Sequence, residues 1–170
     1  MRKKLWGGAL LAAVCLLPLQ AVVADDNRYE PVKPAPDTQT VYITDIRTEN
    51  GHTYVTADPI QWYEGAAADK VFREREPDSG MTEAPDDYYI VNDAVDPHTY
   101  ELAPDAVVEM QFYNRTGNWS EADIQWNERV SAAKFVSLFT PADKDVMMGF
   151  PYHLTVRNGT IVQVVQQYVP

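Results

Sequence analysis

Cysteine is nearly missing from this chain of 170 residues, and the single one, Cys15, falls in a segment that reads as an export leader. Beyond that segment nothing can form a disulfide, a thiolate metal site or a cysteine nucleophile. Histidine is almost as scarce. His52, His98 and His153 lie in a turn, a loop and a strand-like run, without HxxxH spacing or a second ligand beside any of them, so the sequence offers no zinc site. His153 reads as an outward residue of its strand. Of the serines Ser79, Ser120, Ser131 and Ser137, none sits in a GxSxG nucleophile elbow. Basic residues are outnumbered, 14 Lys and Arg against 25 Asp and Glu, for a net charge of −11. That sign opposes binding to nucleic acid or to anionic membrane surfaces, both of which call for basic patches. No stretch after residue 24 is apolar enough to span a bilayer.

Residues 1–24 have the pattern of a signal peptide. Arg2, Lys3 and Lys4 make a basic start, Leu5 to Leu19 is an almost unbroken apolar run, and Val22 and Ala24 place small residues at the −3 and −1 positions before Asp25. Pro18 and Gln20 interrupt a run already too short for a membrane anchor. Val14 before Cys15 is not the small residue that lipoprotein processing expects. Cleavage after Ala24 would leave 146 residues with 11 basic and 25 acidic side chains, a net charge near −14. A chain of that length buries about two thirds of its unfolded surface, enough to be held by a core alone.

Residues 25–38 carry three prolines and no periodicity, which predicts an extended tether. Residues 39–170 read as a single β-rich domain. Val41 to Asp58 forms a first hairpin around Glu49-Asn50-Gly51. The stretch Gln61 to Glu76 reads as a helix, with Tyr63, Ala67 and Val71 on one stripe, stopped by Pro77. Tyr88 to Val91, YYIV, has the composition of a strand covered on both faces. Thr99 to Leu102 is a short strand before Pro104. Ala106 to Tyr113 alternates, with Ala106, Val108, Met110 and Phe112 inward and Glu109 and Gln111 outward. Asn114 to Glu128 reads as an exposed excursion. Ser131 caps a helix that reaches Phe139. A loop from Ala142 to Phe150 leads to the terminal hairpin Pro151 to Pro170, whose Asn158-Gly159 suits a type I′ turn and whose Tyr152, Leu154 and Val156 share the buried face. The expected fold is mainly β (α+β), a small antiparallel, partly open β-barrel or twisted sheet of about seven strands with two short helices.

Chemistry-bearing patterns are few. Glu74, Glu76, Asp78, Glu83, Asp86 and Asp87, with Asp69 nearby, make an acidic loop, but the spacing is not that of an EF-hand, so a solvated loop is expected and no metal or cofactor. The aromatic pairs offer a better argument, because flat amphipathic rings stack on sugars or grip a protein. Trp62, Tyr89, Trp119 and Trp126 are the candidate binding residues, the last two because they lie in a polar, irregular stretch. The competing role for each is core packing. The triplets at Asn114, Asn118 and Asn158 match the glycosylation pattern, which is usually idle behind a bacterial-type leader.

The segments DPIQWYEGAAA (Asp58 to Ala68), DYYIVND (Asp87 to Asp93) and the ending PYHLTVRNGTIVQVVQQYVP together resemble an uncharacterised family of small secreted bacterial proteins, with Asp-Pro-x-x-Trp, Tyr-Tyr-Ile-x-Asn and terminal Gln-Tyr-x-Pro patterns. The resemblance implies a one-domain secreted protein and transfers no catalytic residue. Trp62 and Asn92 are its aromatic and polar positions to test. The reading as a whole is an exported bacterial domain, extracellular or periplasmic, that binds a protein or glycan of the envelope without catalysis. The alternative is a carboxylate-dependent hydrolase of such a glycan, using the acidic loop.

Overall fold

Val41 and Ile43 are buried while Tyr42 and Thr44 are not, and this period of two is what lays β1 (Thr38–Glu49) across one wall of a barrel. Asn50 and Gly51 take φ of 52° and 84°, the pair of positive values that a tight hairpin turn needs, and return the chain as β2 (His52–Pro59). The structure, a computed structural model, describes residues 28–169. The leader at residues 1–24 and the first tether residues lie outside that range.

The chain continues through β3 (Gln61–Glu64), α1 (Gly65–Arg75), β4 (Tyr88–Val91), β5 (His98–Phe112), β6 (Ile124–Val130), α2 (Ala132–Ser137), α3 (Lys144–Met148), β7 (Pro151–Arg157) and β8 (Thr160–Gln166). Strands β1, β2, β5, β8 and β7 close a five-stranded barrel, β6 extends it, and β3 with β4 forms a separate two-stranded ribbon. The expected small barrel is therefore present, and it is closed and mixed: every pairing is antiparallel except β5 with β8. β6, α2, α3 and β7 lie between β5 and β8 in the chain, so no tight turn imposes the antiparallel sense on this pair.

Several elements differ from the sequence reading, each for a physical reason. Thr99 to Leu102 and Ala106 to Tyr113 are one long strand. Pro104 does not end it, because the residue sits in a register shift between Leu102 and Val107, where no ladder donor is required. There β5 changes partner, pairing β2 through His98 to Leu102 and β6 from Val108 onward. Residues 124–130 of the supposed excursion are the strand β6, and the rest is tied down, since Arg115 donates to Glu128 Oε2 (2.6 Å) and to the Asp123 carbonyl (2.8 Å). The helix expected from Gln61 starts at Gly65. Tyr63 and Trp62 pair instead with Tyr89 and Ile90, and the buried stripe of α1 is Ala68 and Phe72, one residue along from the one expected. The run YYIV is not covered on both faces: β4 pairs only with β3, and its first three residues are half-buried. Residues 144–148 of the expected loop form α3, which buries Met147 completely.

Two turn signals hold as read. Ser131 Oγ accepts from Lys134 N at 3.1 Å and caps α2, which lays Ala132, Phe135 and Leu138 onto the barrel core. Asn158 and Gly159, at φ 52° and 80°, close the β7–β8 hairpin. Its expected sidedness fails on the polar face, however: His153 and Thr155 are buried along with Tyr152 and Leu154, and Gln111 of β5 is buried rather than outward. β7 lies between β1 and β8, and the outer side of that wall is covered by the segment before β1.

Candidate functional site

That covering segment is the stretch expected to be a tether, and its described part, from Arg28, lies against the barrel. The Arg28 carbonyl accepts from Asn127 Nδ2 (2.9 Å), the Tyr29 ring sits 5.6 Å from that of Trp126, and the Asp37 carboxylate and carbonyl accept from Arg157 Nε (3.0 Å) and Val156 N (2.8 Å). Beneath it runs a chain of polar groups. Gln167 Nε2 donates to the Tyr168 carbonyl (2.9 Å), which turns Oε1 inward to accept from the Tyr29 hydroxyl and from His153 Nε2 (3.0 Å). His153 therefore carries its proton on Nε2 and leaves Nδ1 to accept from the Thr40 hydroxyl (3.0 Å). Burial holds the imidazole below its usual pKa, against the raising influence of Gln167 and of Glu64; burial, with Glu64 adding to it, pushes the Tyr29 phenol up.

His153 forms part of a cleft of about 270 Å3, with Lys33, Thr38, Thr40, Trp62 and Glu64 also on its walls. Trp62 is set by the ribbon: its ring stacks on Tyr88, centroids 4.9 Å apart and planes 11° from parallel, and its Nε1 donates to Glu64 Oε1 (2.9 Å). A stacked pair of this kind contributes about 1 kcal/mol beyond its buried area and keeps the indole in one orientation. The cleft thus combines a fixed aromatic face, one carboxylate, one ammonium, an imidazole and hydroxyl groups, a set able to hold a polar ring.

The four aromatic candidates do not form one surface. Trp62 borders the cleft. Tyr89 turns to the other side of the ribbon, edge-on to Phe72 at 5.7 Å, with its hydroxyl donating to Glu76 Oε1 (2.8 Å). Trp119 packs against the main core beside Phe112 and donates Nε1 to Asp143 Oδ1 (2.9 Å). Trp126 lies between Tyr29 and Tyr168, at 5.6 and 5.5 Å, and so clamps the segment before β1 and the end of the chain to β6. The last two do structural work that their polar, aperiodic neighbours concealed.

Two of the three segments that carried the family resemblance meet in space. Buried Asp58 accepts from Asn92 Nδ2 (3.0 Å) and from Asp96 N (2.8 Å), fastening the foot of the ribbon to the barrel. Comparison with protein-family models, curated proteins and solved structures finds no match to this chain.

Sequence reasoning missed His153, Thr40 and Gln167, since nothing in a strand of alternating residues marks its outer face as covered. Asp69 of α1, beside the acidic loop, serves local structure, its Oδ1 accepting from Ala84 N (2.9 Å). Among the described residues no three His, Cys, Asp or Glu side chains converge as a metal site, and no helix is long and apolar enough to cross a membrane.

The buried imidazole makes a pH prediction. In the unfolded chain His153 takes up a proton near pH 6.5, and in the folded protein only at lower pH. Stability is then fully present above about pH 6.5 and declines as pH falls toward the folded value. Calorimetry from pH 8 to 5 should show the melting temperature falling by a few degrees, and His153→Gln should flatten that slope. Asp37 and Asp93, whose arginine partners hold them below the usual carboxylate range, act at more acidic pH. A wild-type profile that is flat between pH 7 and 5 would refute the neutral, buried assignment.

Proposed function

We propose that this protein is a non-catalytic binding module exported by a bacterium, and that the cleft beside Trp62 holds a sugar residue of an envelope or extracellular glycan. The observation that carries the reading is the Trp62 ring, fixed on Tyr88 at the rim of a cleft lined by Glu64, Lys33, Thr38 and Thr40. An aromatic face supports the apolar side of a pyranose, while carboxylate, ammonium and hydroxyls meet its hydroxyl groups. The volume suits one or two rings rather than an extended chain. Export fits the leader pattern at residues 1–24, and membership of the secreted family suggested by the Asp-Pro-x-x-Trp and Tyr-Tyr-Ile-x-Asn segments belongs to the same proposal.

Hydrolysis of such a glycan needs two carboxylates roughly 5–9.5 Å apart across the scissile bond. Among the described residues Glu64 is the single carboxylate on the cleft wall, so the cleft lacks the pair that hydrolysis there would need; the hydrolase alternative belongs to the acidic loop, where Glu76 and Asp86 line a separate groove.

The test is a titration of residues 25–170 with soluble glucan, chitin and peptidoglycan oligosaccharides, followed by tryptophan fluorescence. One of these ligands should quench the signal saturably, and Trp62→Ala should weaken its binding about tenfold, the equivalent of about 1.4 kcal/mol, with the melting temperature lower by only a few degrees through loss of the Tyr88 stack. Equal affinity of wild type and variant would overturn the reading, as would recovery of a protein instead of a glycan on the Trp62 face.

A further inference from the structure

A second concavity, of about 320 Å3, lies between α1 and β4, and its lining shares no residue with the cleft beside His153. Its walls are apolar and aromatic: Phe72, Pro85, Tyr88, Tyr89 and Ile90. Two carboxylates, Glu76 and Asp86, also line it. The walls are held in place. Tyr89 is braced edge-on by Phe72 and anchored through its hydroxyl to Glu76, and Tyr88 is backed by Trp62.

The cations of α1 are engaged by other partners, although Arg75 lies close enough to Tyr89 to act on its phenol. Arg75 forms a two-pronged contact with Asp93 (2.8 and 2.6 Å), Arg73 donates to the Thr82 carbonyl (2.6 Å), and Lys70 lies 4.0 Å from Glu74. Among the described residues, neither Glu76 nor Asp86 has a Lys or Arg ion-pair partner. The sequence from Glu74 to Asp87 holds six acidic side chains and one basic one, Arg75, in a chain whose net charge is already −11. The carboxylates at the groove outnumber its cations, and both tyrosines have raised pKa values. The hydrogen bond to Glu76 pushes Tyr89 up, and burial with a contribution from Asp86 does the same for Tyr88.

We propose that this groove docks a lysine- or arginine-bearing segment of a partner protein. A long basic side chain fits both halves of the site. Its methylene stem lies on the aromatic floor while the charged head reaches the Glu76 and Asp86 carboxylates. A cation over a tyrosine face gains further attraction from the ring. A neutral apolar segment would leave the two carboxylates partly desolvated without a partner, and an acidic one would be repelled. The proposal shares Tyr88 with the glycan reading, as the ring stacked on Trp62, but its charge complementarity rests on Glu76 and Asp86, which do not line the cleft.

The experiment uses residues 25–170 and a fluorescent twelve-residue peptide of lysine and leucine, with a glutamate-for-lysine version as control, at 50 and 200 mM NaCl. The basic peptide should bind at 50 mM salt and weaken at 200 mM, and the acidic peptide should not bind. The isosteric double variant Glu76→Gln, Asp86→Asn should lose at least tenfold in affinity. The double variant Asp45→Asn, Glu49→Gln, which removes the same charge from the exposed end of β1, should lose no more than threefold. Tyr88→Ala should also weaken binding, and circular dichroism reports whether its ribbon is intact. Equal losses from the two charge variants would overturn the proposal, since the attraction would then be to net charge alone. Absence of basic-peptide binding at 50 mM salt, or displacement of the peptide by equimolar lysine amide, would overturn it as well, the latter by assigning the groove to a small amine. The Glu76→Gln, Asp86→Asn variant leaves the Trp62–Tyr88 stack untouched and should keep oligosaccharide binding at the wild-type level, so failure here and failure of the glycan reading remain separate.

Discussion

Phe135→Ala is expected to lower the stability of the domain by about 3–5 kcal/mol, the usual cost of emptying a buried phenylalanine site. At this chain length that corresponds to a melting temperature lower by roughly 10 °C. The side chain is completely buried and carries much of the attachment of α2 to the barrel. It meets Phe139 edge-on at 5.1 Å and Tyr152 edge-on at 5.8 Å, so the aromatic contacts are lost together with the transfer free energy. The site has little means of collapsing, because Tyr152 is held by the bond from its hydroxyl to the Met147 carbonyl (2.8 Å). Since domains of this size are stable by only about 5–15 kcal/mol, the variant should remain folded at low temperature and unfold early in urea. A urea midpoint within experimental error of wild type would show that α2 is not part of the cooperative core.

Gln166→Leu is expected to cost about 2–4 kcal/mol for a different reason. Gln166 is fully buried, and its Oε1 accepts from two backbone amides of β5, Gln111 N (2.9 Å) and Phe112 N (2.8 Å). These amides need a side-chain acceptor because the β5–β6 ladder slips between Met110 and Phe112. Leucine matches the volume but leaves one buried and one partly buried donor unsatisfied, at about 1–3 kcal/mol each, offset in part by its greater apolar burial and by removal of the buried, unpartnered Nε2 of Gln166. Hydrogen exchange should locate the damage. Amide protection at Gln111 and Phe112 should fall by more than the global change, and a loss spread evenly over β1 to β8 would contradict the assignment.

Both predictions rest on residues that differ in how far the sequence discloses them. Phe135 was legible, because a capping serine, a stripe of Phe135, Leu138 and Phe139, and a following proline mark a short helix with one apolar side. Gln166 was not. Its partners lie more than 50 residues earlier, and a glutamine near the end of a strand resembles any solvated polar residue until the bulge it serves is in place. The same holds for His153, whose partners Thr40 and Gln167 come from the first strand of the barrel and the end of the chain.

The candidate site shows the same division. Trp62 could be singled out as an aromatic residue in a conspicuous segment, but its orientation comes from Tyr88 on another strand. Trp119 and Trp126 lay in a stretch without a period, which suggested exposure. Their rings are in fact taken up by Phe112, Tyr29 and Tyr168, and only the folding of that stretch against the barrel decides this. The groove between α1 and β4 was half visible, as an acidic loop, with its aromatic walls assigned elsewhere.

From the sequence alone came the β-rich class, the hairpins turning at Asn50-Gly51 and Asn158-Gly159, the cap at Ser131 and the acidic character of the surface. All of these depend on neighbouring residues, through the few backbone conformations a turn permits, the alternation of side chains along a strand, and charge. Tertiary structure alone decided that β5 runs parallel to β8, that β2 and β5 close the barrel, and that the polar side of β7 is buried. These follow from which distant segments meet, and the burial of a side chain is a property of what arrives to cover it.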